Sequence, residues 1–230
     1  MGISLTSKIE RKVYDAIDEI SEEFKLNFNL YPEVYWVYPG LSFDNLGISR
    51  KYKTYYSHMK KEKRSMFLPK PWSIWIAENS PIDIYEESGH AIHYKESEKP
   101  NLHQKKEDSL STHTLIEMMG YFCSKIGDSS RLPIFKDIPD IVFEPEKCIK
   151  KLTGKQTRAF YIYQQSHDLG EKLFNAYISG IISKRNIRNL FRTNLNGENT
   201  ASIVFLRFKY DILNFEGRKP PKNIQKILQN

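Results

Sequence analysis

WSIWIAENSPIDIYEESGHAIHYKES, residues 72–97, contains the transition that decides the fold. Its first half sets Trp72, Ile74 and Ile76 against Ser73, Trp75 and Ala77. That alternation has the period of a strand. Asn79 or Ser80 then suits a helix N-cap and Pro81 suits the first turn, while Asp83 and Glu86 suit the positive end of the helix dipole. The pattern predicts a strand feeding almost directly into a helix that runs to Lys95 or Glu98, where SEKPN ends it. This helix carries two adjacent carboxylates and two histidines.

Working outward, residues 5–25 place Ile9, Val13, Ile17, Ile20 and Phe24 on one stripe, which predicts a first amphipathic helix. EVYWVYPG reads as a strand stopped by Pro39-Gly40. Residues 41–64 are polar, aromatic and irregular, and short strands are expected there. A helix is expected over 108–126, terminated by Gly127-Asp128, and RLPIFKDIPDIVFEPEK, with three prolines, reads as an extended connection. From Thr157 the chain is strongly helical to near Ser183, and RNIRNLFRTN reads as another helix. TASIVFLRFKYDIL fits either a helix or a strand. The expected architecture is α+β: one domain over 1–230, with a sheet-bearing part over about 1–98, a helical part over 107–215 and a peripheral tail over 216–230.

The 230 residues are 40% hydrophobic and 13% aromatic, enough for a globular core and too apolar for a disordered chain. No apolar run approaches the length of a bilayer, and the N-terminus reads as an amphipathic helix and not a signal peptide, so no membrane partner is expected. Cys123 and Cys148 cannot make a disulfide framework; both read as small buried hydrophobes in a reducing cytoplasm. The net charge of +7 is spread over short pieces such as KKEKR, SKRNIR and GRKPPK. No zinc finger, glycine-rich RNA clamp or RNP-type aromatic signature accompanies them. A nucleic-acid-associated basic protein therefore stands as a reading without a motif behind it.

The histidine-bearing helix carries the chemistry. Residues four apart share a helix face, so Glu86 and His90 converge on one point, while Glu87 lies about a hundred degrees further round. Gly89 lets another backbone come close, and Glu117 lies in the apolar setting LIEMMGYF, where a buried carboxylate needs a partner. A plain alternative is an acidic first turn that complements the dipole, with a buried, hydrogen-bonded histidine behind it. A ferritin-like di-iron site needs a second Glu-x-x-His, and the chain has none.

The stretch EESGHAIH, with its upstream strand and the later Glu117, resembles the gluzincin metallopeptidases of the thimet-oligopeptidase and oligoendopeptidase type. In those families a glutamate lies between two metal-binding histidines, GHA-I/L/M-H follows the glutamate, and a later helix supplies a third, glutamate ligand. The resemblance covers about residues 72–126. It implies a zincin-like fold and metal-dependent hydrolysis of a peptide or unfolded protein segment. By position it makes Glu87 the general base and Glu86, His90 and Glu117 the metal ligands, with His167 or Tyr177 stabilising the oxyanion. Strand WSIWIA would pair with the extended peptide. Glu86 departs from the family's histidine. The extra carboxylate hardens the site, so that manganese or iron competes with zinc. His93 is an alternative ligand with His90 and Glu117, and His113 a residue that could orient one from behind. A descendant without metal or catalysis, acting as a binding module, is the companion reading.

Overall fold

The computed structural model describes residues 5–37, 40, 42–77, 80–97, 106–130 and 155–193. The elements are α1 (Leu5–Phe24), β1 (Glu33–Trp36), α2 (Lys53–Glu62), β2 (Met66–Pro69), β3 (Trp72–Ile76), α3 (Pro81–Glu96), α4 (Lys106–Gly127), α5 (Lys155–Ile178) and α6 (Lys184–Phe191). The fold is mixed α and β, mostly helical with one small sheet. It divides into two compact units, residues 1–92 with 123–131, and 93–122 with 132–230. Two of the three boundaries, at 92/93 and 122/123, fall inside continuous helices, α3 and α4.

In the first unit the sheet has the order β1-β3-β2, with β1 parallel and β2 antiparallel to β3. β2 and β3 form a hairpin closed at Lys70-Pro71, which is a cis peptide. The strand WSIWIA is thus the middle strand. Its hydrogen-bonding edges are taken by Val34–Trp36 on one side and Met66–Leu68 on the other. It cannot also pair with a peptide substrate, and that expectation is corrected.

The central position also explains why β3 has no polar face. Tyr35, Trp75, Met66 and Leu68 join a cluster with Val37, Phe43, Tyr52, Tyr56 and Met59. Val34, Ile74 and Ile76 point to the opposite face and are buried too. α1 packs on β1 with Ile9, Val13, Ala16, Ile17, Ile20 and Phe24 buried, the stripe expected from the sequence.

The reading of residues 41–64 is overturned. The chain makes two 3-10 turns, Phe43–Leu46 and Arg50–Tyr52, and the second runs on into α2. Tyr52, Tyr56 and Met59, spaced four and three apart, form the buried face.

In the second unit α4 and α5 run parallel. Thr114 accepts from Ser166 at 3.1 Å, Tyr121 donates to Glu171 at 3.1 Å, and Phe122 packs on Phe174. Gly170 permits this approach: a Cβ there would lie 2.7 Å from a Tyr121 ring carbon and 2.9 Å from the Met118 carbonyl oxygen. α5 stops at Ile178, short of the expected Ser183. Gly180 has φ +76°, and the amides of Gly180 and Ile181 close back onto Tyr177 and Ala176, a Schellman ending. The expected connection over 131–147, the TASIVFLRFKYDIL segment, the tail and Cys148 lie outside the described residues.

Candidate metal centre

The start of α3 is fixed by its cap and by the sheet. The Ser80 hydroxyl accepts from the Asp83 amide at 3.1 Å, as an N-cap does. Ser65, just before β2, donates to the Asp83 carboxylate at 2.8 Å and accepts from the Ala77 amide at 3.0 Å. One hydroxyl thereby ties the end of β3 to the first turn of α3. Further along, Tyr85 hydrogen-bonds Glu19 on α1, and the Tyr85 ring covers Gly127 at the end of α4. Burial, then the Glu19 carboxylate, pushes the Tyr85 phenol up from its ordinary value. The last turn of α3 packs on α6: His93 meets the Phe191 ring edge-to-face at 6.0 Å, and Glu96 pairs with Arg192 at 2.9 Å.

On the helix held this way, Glu86 is half-buried and His90 is 9% exposed. Glu117, half-buried on α4, brings a carboxylate to them, and the three ligand atoms all lie within 4.8 Å of one another. Among the described residues no other group of three histidine, cysteine or carboxylate side chains comes so close. Cys123, one and a half turns beyond Glu117, is fully buried; burial and then the charge of Glu86 raise its thiol well above the ordinary value. The cysteine is therefore an inert thiol that faces the same carboxylate, as expected of a small buried hydrophobe.

The other expected site residues are placed as follows. Glu87 is 8% exposed on α3 and belongs to no such cluster. His93 is fully buried against Phe191 and is not grouped with His90 and Glu117, so the alternative ligand set containing it is not assembled. His113 is half-buried one turn before Glu117. His167 stacks on Tyr121 at 4.5 Å, and Tyr177 packs on Phe122 at 5.9 Å, both as parts of the α4–α5 contact. Nothing in the sequence marked Tyr121 as the ring that seats His167.

The donor set fits a divalent cation. Two oxygen or nitrogen donors bound to one ion at ~2.1 Å stand ~3.0–3.5 Å apart. The observed spread of up to 4.8 Å is wider, so an ion there would require the glutamate side chains to rotate inward. Two carboxylates and one imidazole suit manganese, iron or zinc.

No protein-family model matches the chain, and neither do any curated protein or solved structure.

Proposed function

We propose that Glu86, His90 and Glu117 bind a divalent cation, and that the protein is a zincin-like, metal-dependent hydrolase of peptides. The convergence of three donors from two helices, twenty-seven residues apart in sequence at the nearest, carries the reading. The cation would polarise the scissile carbonyl. Glu87, next to Glu86 and largely shielded from water, would take the proton of the attacking water. A peptide held by strand addition would use the outer edge of β1 or β2, since β3 has no edge to offer.

A second reading draws on the ligand set itself. A second carboxylate neutralises more of the cation's charge and makes it a weaker activator of water. The same centre would then hold the helices together in a non-catalytic binding protein. Glu87→Gln separates the two. On the hydrolase reading it abolishes cleavage of a quenched peptide library and leaves metal content unchanged. Equal cleavage by the variant removes Glu87 from the mechanism, and absence of cleavage by metal-loaded wild-type protein favours the binding protein.

A further inference from the structure

We propose that a row of aromatic rings beside α1 is a docking surface for a basic, proline-containing peptide of a partner protein. Tyr14, Tyr31, Phe28, Trp72 and Phe67 follow one another in ring contact, with centroids 4.8, 6.2, 6.4 and 5.1 Å apart. The row lies within the first unit, from α1 to the β2–β3 hairpin. Tyr31 is 40% exposed and its neighbour Leu30 46%, while the other four rings are half-buried. The segment between α1 and β1 is held from two sides. The Trp72 indole donates to the Leu30 carbonyl at 3.1 Å, and the Pro32 carbonyl accepts from the Tyr14 hydroxyl at 3.2 Å. Exposed side chains fixed this firmly lose little freedom when a partner covers them.

Carboxylates select the occupant. Glu10, Tyr14 and Asp18 are spaced four apart on one face of α1, and Glu33 opens β1 two residues after Tyr31. Glu10 accepts from Tyr14 at 3.1 Å, Asp18 accepts from Tyr31, and Glu33 accepts from Tyr35 at 2.6 Å. These donors are neutral hydroxyls, which occupy a carboxylate oxygen and leave its charge in place. Among the described residues none of the three carboxylates forms an ion pair. A lysine or arginine side chain over the Tyr31 ring meets a π face and the Asp18 carboxylate together. The row is longer than one such side chain, and an extended polyproline segment lies along aromatic rings at little ordering cost. An anionic lipid surface is repelled by the same carboxylates, and among the described residues no helix is long and apolar enough to cross a membrane. The chain's net charge of +7 opposes unspecific attraction of a basic peptide, so binding of one must be local. This surface is independent of the metal centre.

The test is fluorescence anisotropy of the full chain, in chelator, with two labelled peptides: one alternates lysine with proline, the other glutamate with proline. Binding is expected for the lysine peptide alone, weakening as salt rises. Asp18→Asn with Glu33→Gln lowers it about 3–10-fold, the worth of two exposed ion pairs. Tyr31→Leu, which keeps apolar area and removes the ring face, lowers it about 3-fold. All three residues are exposed, and unchanged circular dichroism confirms that the variants are folded. No binding of the lysine peptide, or equal binding of the glutamate peptide, overturns the proposal. Full binding by the variant lacking both carboxylates also overturns it, and complete competition by tetramethylammonium at the peptide's own concentration assigns the row to a small cation instead.

Discussion

Neutralising Glu86 and Glu117, singly and together, tests whether their carboxylates face each other across a cation site. At 4.8 Å or less, two unit charges repel by about 3 kcal/mol at an effective dielectric of 20, falling toward about 1 kcal/mol as solvent screens half-buried groups. In chelator, Glu86→Gln and Glu117→Gln each remove this repulsion, and the double variant removes it only once. The two single effects should therefore sum to about 1–3 kcal/mol more stabilisation than the double variant shows, whatever other partners each carboxylate has. Urea unfolding of the four proteins supplies the cycle. Adding manganese or zinc should reverse the ranking: at a hundred times its dissociation constant a bound ion stabilises wild type by about 2.7 kcal/mol, or roughly 5–10 °C in Tm. The variants should gain much less. Additivity within ~0.5 kcal/mol in chelator would mean that the two groups do not interact, and the donor geometry would be refuted.

Two further outcomes follow from the packing and the titration behaviour. Gly170→Ala should cost about 1–3 kcal/mol, because the new methyl meets Tyr121 and the Met118 carbonyl within 2.9 Å; an unchanged Tm would mean that α4 and α5 do not pack this closely. Tyr14 is pushed up to about 12 by burial and by its hydrogen bond to Glu10. Its folded pKa lies above the ordinary 10.0, so the stability it contributes is complete below pH 10.0 and is lost as pH rises through about 12. Tyr14→Phe should flatten the fall of stability in that window, and an identical alkaline profile would contradict the assignment.

Much of the fold was legible where one local rule acted alone. The α1 stripe needed only the helical period, and the Ser80 cap followed from residue chemistry at a strand-to-helix turn. β3 was recognisable, but its place in the middle was not. Both its faces are buried, so Ser73 and Trp75 resemble a polar side only until the clusters around them are seen. α2 was hidden because KTYYSHMKKE buries one aromatic ring, Tyr56, and a methionine rather than an aliphatic stripe, and tyrosines between lysines suggest irregular chain. β2 is four residues long and ends in Pro69, so it exists only by pairing with β3.

The site divides in the same way. The Glu86–His90 pair follows from helical spacing, whereas Glu117 is brought to it by tertiary packing that periodicity cannot specify. His93 sits three residues beyond His90, yet its environment is the Phe191 ring of a helix almost a hundred residues away in sequence. His167 and Tyr177 were picked out only by the resemblance, as groups that would stabilise an oxyanion, and their aromatic neighbours Tyr121 and Phe122 could not be read from the sequence.

The most direct test is the metal content of protein purified without a polyhistidine tag, measured by elemental analysis alongside Glu86→Gln, His90→Ala and Glu117→Gln. About one equivalent of a transition metal in wild type, reduced in all three variants, is the predicted result. Metal-free wild type that also fails to take up manganese, iron or zinc on titration would contradict the account at its centre.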